Sequence, residues 1–398
     1  MAQPIDNPPT APPPAKLPRE IVALGWISFC LDVASEMVYP LVPLFAVGVL
    51  HAPGLALGLI EGSAEGLLAI MTAVSGRYSD RIRKRVPFIR AGYGIAAAAK
   101  PLIALVGSWP ALLALRALDR FGKGLRTAAR DALIADLAGP KRHGAAFGFH
   151  RTMDTAGAFV GVLLALVVLH FLPEHYRLMF ALTALPGALA IALTFRIREP
   201  PREVAVDARA PRVASNSKLP RAIWPVCAVL WLFALGNSSD AFLLLRAKSA
   251  GFSVTQVIAA YALMNLVYTL AAFPAGKLSD RWGRARVIAL GWLIYAAVYA
   301  GFASLDAPAL WVAFAVYGLH LGLVQGVAKA WIADHAPPEL RATALGVYQF
   351  GLGIALLASS AVAGWLWDAD ATHAAPFYLG SAFALAASAL LPWAARKR

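Results

Sequence analysis

The sequence predicts an all-α membrane protein whose twelve transmembrane helices form two pseudo-symmetric bundles of six. The chain is 59% hydrophobic and only 15% charged, with a mean hydropathy of +0.63, a composition that is rare among soluble domains. Apolar stretches of about 18 or more residues recur along it, and each can cross a bilayer core of about 30 Å. In addition, one basic motif occurs twice, half a chain apart.

The predicted spans follow the apolar stretches in chain order. The first six cover approximately residues 20–48, 54–78, 87–107, 110–137, 143–171 and 176–197. The last six cover approximately residues 221–246, 253–278, 285–304, 308–334, 341–366 and 375–394. Strands are not predicted, because a membrane barrel needs runs of about ten alternating residues and the chain has none.

The segments outside the spans complete the predicted domain organisation. Residues 1–19 are predicted to be a disordered cytoplasmic tail, since six prolines and no apolar run occupy positions 1–15. The polar, proline-bearing segment 198–220 is predicted to be a cytoplasmic linker. It separates an N-terminal bundle at 20–197 from a C-terminal bundle at 221–394.

The net charge of +14 is best explained by membrane topology. If the N-terminus is inside, most Lys and Arg residues fall in cytoplasmic segments and at cytoplasmic span ends. The opposite side carries only three: Arg177, Arg246 and Lys248. The positive-inside rule therefore predicts a multi-pass protein of the cell (inner or plasma) membrane with both termini cytoplasmic. Nucleic acid is not an expected partner, because the positive charge follows the topology.

The repeated motif indicates two homologous halves. It reads G-R-Y-S-D-R-I-R-K at 76–84 and G-K-L-S-D-R-W-G-R at 276–284, each copy directly after an apolar span. A second match relates A-L-I-A-D at 132–136 to A-W-I-A-D at 330–334. Internal duplication of membrane halves is typical of secondary transporters.

Twelve spans in two sixes, the doubled loop and the central linker together resemble the major facilitator superfamily along about residues 20–394. The resemblance implies a transporter, with loop residues that latch the cytoplasmic side in the outward-facing state. It assigns gating to Gly76, Asp80, Arg81, Gly276, Asp280, Arg281 and Arg284. Asp136 and Asp334 are the expected acidic partners of Arg81 and Arg281.

The fourth span carries an unusual density of charge for a membrane helix. Seven charged residues between Arg116 and Asp131 fall within a sector of about 140° on a helical wheel. Each charge costs about 2.5–3.5 kcal/mol on membrane-insertion scales, so this face is expected to line a cavity or meet acidic partners. Within it, Arg120-x-x-Lys123-Gly resembles the fourth-span motif R-x-x-Q-G of the superfamily, with Lys in place of Gln.

Other spans supply complementary polar residues. Asp32, Glu36 and Tyr39 form a polar stripe on span one. Pro40 and Pro43 interrupt the helix just beyond this stripe. In the superfamily fold, spans one and four both line the central cavity. The predicted substrate and proton site comprises Asp32, Glu36, Tyr39, Arg120, Lys123, Arg126, Arg130, Arg151, Asp154, Asn237, Asp240, Gln325 and Lys329.

The leading hypothesis is a secondary active transporter, coupled to protons, that moves a small polar or anionic solute. A carboxylate of the Asp32/Glu36 pair is expected to carry the proton, with Glu61, Glu65 and Asp154 as the next candidates. The chain has no phosphate-binding G-x-x-x-x-G-K-(S/T) loop, which argues against ATP as the energy source.

A multidrug/proton efflux antiporter is the main alternative. Efflux members of the superfamily often carry G-x-x-x-G-P in span five, whereas this chain reads Gly157-Ala-Phe-Val-Gly161-Val without the proline. A non-transporting membrane sensor or enzyme is a distant alternative. We expect no catalytic residues, no metal, no cofactor and a monomer in the lipid bilayer.

Overall fold

The computed structural model describes residues 17–82, 84–138, 143–198, 219–337 and 340–396. Every regular element in these ranges is helical, and no strand occurs in them. The helices form twelve spans, which confirms the predicted fold class.

The N-terminal half contains eight α-helices that build six spans. They are α1 (Arg19–Val38), α2 (Val42–Gly48), α3 (Gly54–Ile82), α4 (Val86–Leu102), α5 (Trp109–Ala138), α6 (His143–Phe171), α7 (Tyr176–Leu182) and α8 (Ala184–Thr194). A 3₁₀ turn at Tyr39–Leu41 joins α1 to α2, where proline interrupts the predicted first span. Helices α7 and α8 follow one another at Thr183 to form the sixth span.

The C-terminal half contains seven α-helices that build the other six spans. They are α9 (Ile223–Gly236), α10 (Ala241–Ser249), α11 (Val254–Trp282), α12 (Arg284–Ser304), α13 (Ala307–Asp334), α14 (Arg341–Ala369) and α15 (Ala375–Arg396). The seventh span is broken between α9 and α10, at residues 237–240.

Eleven of the spans in the described ranges are long and apolar enough to cross a bilayer. The twelfth, α5, has 30 residues and is long enough to cross a bilayer. It carries too many charged residues to count as an apolar membrane helix. A helix of this kind crosses a membrane only when its charged face is turned towards protein or an internal cavity. The packing of α5 between α3 and α4 meets that requirement.

Because the spans alternate in direction, α1 starts and α15 ends on the same side of the molecule, called here the termini side. The opposite face is the far side. Along α3 and α14 the two halves are in contact from Gly54 and Asp368 at the far side to Ala69 and Gly353 near mid-span. Further along, Gly346 faces open space. This helix pair is therefore in contact from the far side to mid-span, and nearer the termini side α14 has a position, Gly346, that faces open space.

Candidate functional site

The polar stripe of α1 lies between the two halves. Glu36 is half-buried and accepts a hydrogen bond of 3.0 Å from the Tyr261 hydroxyl of α11. The Tyr39 and Tyr261 rings pack with centroids 5.7 Å apart. The predicted residues Glu36 and Tyr39 therefore contact the C-terminal half directly.

Asp32 lies one turn before Glu36 and is partly exposed. Among the side chains that the structure describes, none forms a hydrogen bond or ion pair with its carboxylate. It lies within electrostatic range of Asp154 on α6 and of the cations Lys123, Arg126 and Arg130 on α5. The structure thus brings together acids and bases that the sequence placed on three separate spans.

Two glycines explain why α6 approaches α1 so closely. Gly157 lies against the backbone of Phe29, and Gly161 lies against Val33, so a Cβ atom at either glycine would clash with α1. Small residues permit such close helix packing in membranes. The contact holds Asp154, one turn before Gly157, beside Asp32.

Two charges on the inner side of α5, Arg116 and Asp119, are used in buried pairs with residues of α3 and α4. The Lys100 Nζ of α4 lies 2.5 Å from Asp119 Oδ1, and the Arg116 guanidinium lies 2.9 Å from Glu61 Oε1 of α3. All four side chains are at least nine-tenths buried. These pairs hold α3, α4 and α5 together and are not available to a solute.

Two further predicted cations have acidic neighbours but remain partly free. The Arg120 guanidinium lies 3.6 Å from Glu65 Oε1, beyond hydrogen-bonding distance. The Arg130 guanidinium lies 2.8 Å from Asp131 and reaches Ser28 Oγ at 3.5 Å.

Lys123 and Arg126 form no ion pair with any described residue. Lys123 is half-buried. Arg126 is 3% exposed and lies over the Tyr93 ring at 4.2 Å, with its Nε and Nη1 atoms unpartnered. The charged face of α5 therefore includes two cations that no described residue neutralises by direct contact.

His150 is a site residue that the sequence analysis missed. It is 4% exposed on α6, and its Nδ1 atom lies 3.5 Å from Asp154 Oδ2. Its Nε2 atom and Asp154 Oδ1 are both buried without a hydrogen-bond partner. The i, i+4 spacing of His150 and Asp154 was the one available signal in the sequence.

The C-terminal half contributes polar groups from the break before α10 and from α11 and α13. Asp240 accepts a hydrogen bond of 2.6 Å from the Tyr317 hydroxyl, and Gln325 accepts one of 3.0 Å from Tyr268. Lys329 is exposed and lies within electrostatic range of Arg151 on α6. Two positive charges thus face each other across the two halves.

The predicted gate residues pair in a different way from that expected. Asp136 pairs with Arg85 at 2.8 Å, and Asp334 pairs with Arg284 at 3.1 Å. Each contact lies within one half, at the start of the helix that follows the repeated loop. Neither acid pairs with Arg81 or Arg281 within the part of the chain that the structure describes.

The second copy of the gate motif shows how such a loop is held. Arg284 also contacts Asp280 at 2.6 Å and donates to Ser279, so one guanidinium joins the ends of α11 and α13. A Cβ atom added at Gly276 would have no neighbour within 4 Å, whereas one at Gly76 would meet Ala128. The side chain of Asp80 lies outside the described residues.

No group of three or more His, Cys, Asp or Glu side chains within the described ranges is placed to hold a metal ion. Cys30 and Cys227 are both buried free thiols. The arrangement around α1, α5 and α6 is one of separate acids and cations beside an interface between two halves. It can exchange protons and attract an anion.

Comparison with known proteins identifies relatives over nearly the whole chain. The family model for the Major Facilitator Superfamily matches residues 24–245 and 226–398. An uncharacterised MFS-type transporter of Methanocaldococcus jannaschii is 33% identical over 392 residues, or 94% of this chain and 95% of that protein. An uncharacterised protein of Mycobacterium tuberculosis is 28% identical over 360 residues, covering 88% of this chain and 87% of the relative.

Solved structures show the same fold at low sequence identity. The nucleoside transporter NupG superposes with a TM-score of 0.75 and 13% identity over 96% of this chain and 100% of its own. A bacterial homologue of the human lysosomal transporter Spinster, in an inward-facing and occupied conformation, gives 0.74 and 17% over 95% and 96%. The peptide transporter PepTSo of the POT family gives 0.74 and 13% over 96% and 98%.

Proposed function

This chain belongs to the major facilitator superfamily and is a multi-pass membrane transporter, not an enzyme; we propose that it couples the movement of a small anionic solute to protons. The family membership confirms the resemblance drawn from the repeated motif. The solute class and the coupling ion are our inference from the charges between the halves.

One observation carries the proposal: within the described part of the chain, Lys123 and Arg126 have no ion-pair partner, and they lie within electrostatic range of Asp32, which has none either. Charges at this depth are costly and are retained at ion and substrate pathways. A carboxylate or phosphate group can accept charge-assisted hydrogen bonds from an ammonium or guanidinium group. An anionic solute would therefore supply the negative charge that Lys123 and Arg126 lack.

The two cations Arg151 and Lys329 support the same solute class. They repel each other across the interface between α6 and α13, and both are exposed. An anion between them would replace this repulsion with two attractions. Because they lie nearer the termini side than Lys123, they can attract an anion towards the deeper site.

Asp32 and Glu36 are the groups best placed to carry the proton. Asp32 faces both an acid, Asp154, and a set of cations, while Glu36 contacts the opposite half through Tyr261. The proton affinity of a carboxylate depends on its solvation and on its distance from other charges. A movement of α1 against α5 and α11 would change the solvation of both acids and their distances from other charges. Their proton affinity would change with it, so that a proton binds in one conformation and is released in the other.

Alternating access follows from the packing of the halves. If the termini lie in the cytoplasm, as the positive-inside rule predicts, the contact between the halves from the far side to mid-span is the contact expected of an inward-facing conformation. We assign Asp280, Arg284 and Asp334 to the gate at the termini side, together with the first copy of the motif. Thiol labelling from outside intact cells should miss a cysteine introduced by Ala210→Cys in the linker, and strong labelling would contradict this orientation.

The solute class is tested by proteoliposomes that contain the full chain and a pH-sensitive dye. Wild-type protein should move protons when small carboxylates or phosphates are added under a pH gradient, and should not respond to neutral or cationic solutes. Lys123→Gln should weaken the response to the anions by about tenfold or more, the value of one charge-assisted contact.

The matched control is Lys248→Gln, which removes a positive charge from the end of α10 at the far side. It should leave the response unchanged. A wild-type protein that moves protons with hydrophobic cations, and with no anion in the panel, would favour the drug antiporter instead.

A further inference from the structure

The break in the seventh span exposes polar groups in the middle of an otherwise apolar bundle. Helix α9 ends at Gly236, and α10 begins at Ala241. The break residues are Asn237, Ser238, Ser239 and Asp240. Broken helices of this kind place backbone carbonyls and polar side chains at membrane depth only where they line a cavity or a site.

Several oxygen atoms at this break are buried without a partner. Ser238 is 5% exposed and Tyr299 of α12 is fully buried, and neither hydroxyl makes a well-aligned hydrogen bond with a described group. The Tyr299 hydroxyl lies near the hydroxyls of Tyr295, Ser238 and Tyr317, all of them oxygen atoms that can also turn a lone pair towards a cation. Asn237 Oδ1 is also buried and unpartnered. Buried polar atoms almost always have well-aligned partners, so a cluster of poorly satisfied oxygens beside a carboxylate indicates a missing partner.

Asp240 adds a negative charge that the described protein groups do not compensate. In the described ranges its carboxylate accepts one hydrogen bond, from Tyr317, and forms no ion pair. The charged groups within electrostatic range are the acids Glu61 and Glu65 of α3. Each of these already has an arginine beside it, whereas Asp240 has none.

We propose that Asp240, Ser238, Tyr299 and Asn237 bind a sodium ion at the break between α9 and α10. All four offer oxygen ligands, and in transporters unwound helix segments of this type coordinate sodium. The single carboxylate suits a monovalent ion, since calcium and magnesium sites rely on more carboxylates or on bound phosphates.

The position of this site gives the ion a role in closing the molecule. Asp240 lies within electrostatic range of Tyr39 and Tyr261, at the interface where α1 meets α11. A bound cation offsets the repulsion between Asp240 and the acids of α3 on the other half. Sodium therefore stabilises the conformation closed at the far side. This site is separate from the proposed proton carriers on α1.

The test uses purified full-length protein in detergent, without solute or pH gradient. Thermal unfolding is followed in NaCl, KCl and choline chloride at equal ionic strength and fixed pH. Sodium should raise the Tm in a saturable way, and the other two cations should not. Asp240→Asn should abolish the response, and Tyr299→Phe should raise the half-saturating sodium concentration by about tenfold.

Ser238→Ala provides a second variant if Asp240→Asn fails to fold, and it should also weaken the response. Tyr348→Phe is the matched control, since it removes the hydroxyl of another buried tyrosine in the same half and should leave the response unchanged. Equal Tm shifts with KCl or choline chloride would overturn the proposal. So would a sodium response retained in Asp240→Asn, or stabilisation by acid alone, which would make Asp240 a protonation site. Failure of proton coupling would leave the sodium response intact.

Discussion

At the scale of single residues, the structure separates charges that tie helices together from charges that remain free. Lys100, Asp119, Arg116 and Glu61 form buried contacts within one half. The sequence showed that these residues lie in the membrane but could not show their pairing. Pairing depends on how each helix is rotated and how deep it lies relative to its neighbours. The sequence of one span does not predict these relative positions.

Breaking one buried pair should destabilise the protein more than removing both members. Lys100→Met leaves Asp119 buried with only the more distant Arg116 guanidinium, at 3.9 Å, and should cost about 3–5 kcal/mol in unfolding free energy. The double variant Lys100→Met/Asp119→Leu should recover most of that loss. Unfolding in mild detergent measures both, and a double variant as unstable as the single one would contradict a structural role for the pair.

His150 shows a different limit of sequence analysis. A histidine near the start of a predicted span cannot be told from a surface residue in the sequence. Hydropathy does not show whether its side chain points to the protein interior or to the surface. Its burial beside Asp154 follows from the close packing of α6 on α1 through Gly157 and Gly161. The glycines were visible in the sequence, but their partner helix was not.

At the scale of elements, α5 was predicted well in one respect. Its seven charges share one face, and the structure turns that face towards α3, α4 and the interior. The structure then divides the face into paired residues and the free pair Lys123 and Arg126. The sequence proposal that Arg120 and Arg130 hold the solute stays a prediction, since each lies beside an acid here.

A contact between elements at the far side mirrors the gate that the sequence predicted at the termini side. The Asp368 carboxylate of α14 accepts hydrogen bonds from the backbone amides of Gly54 at 2.6 Å and Leu55 at 2.9 Å. These amides form the start of α3, where the helix dipole favours an anion. An acid of one half thus holds the helix terminus of the other, and the contact must break for the far side to open.

Asp368→Asn should therefore shift the population towards the far-side-open conformation. We expect a change of about 1 kcal/mol, or about fivefold in the ratio of the two conformations. Spin labels at the exposed residues Leu172 and Leu305, on the far-side ends of the two halves, can measure this ratio. Equal distance distributions in wild type and variant would contradict a latch.

Asp370→Asn is the matched control, since this acid lies two residues later but bonds only within its own half. Its carboxylate accepts hydrogen bonds from the Thr372 side chain and from the amides of Ala375, Thr372 and Ala374, which lower its pKa to about 2. The contribution of these bonds to loop order is therefore complete above the ordinary pKa of 3.8 and is lost as the pH falls through about 2. At neutral pH the control should loosen this loop without changing the distance between the halves.

At the scale of the whole molecule, the fold was predictable because two signals were strong and independent. The hydropathy pattern predicted the number of spans, and the repeated loop motif predicted that they form two homologous halves. The conformation was not predictable, because a transporter uses one sequence for several arrangements of its halves. The contacts of α3 with α14 from the far side to mid-span are properties of the assembled structure.

The central claim is that an acid of the Asp32/Glu36 pair links the solute to a proton. The most direct measurement compares accumulation with exchange of a labelled anionic solute in proteoliposomes. Asp32→Asn or Glu36→Gln should abolish accumulation driven by a pH gradient yet leave exchange of internal for external solute intact. The exposed acid Asp306, changed to Asn as a control, should leave both processes unchanged. Accumulation that persists in both acid variants under an imposed pH gradient would contradict the claim.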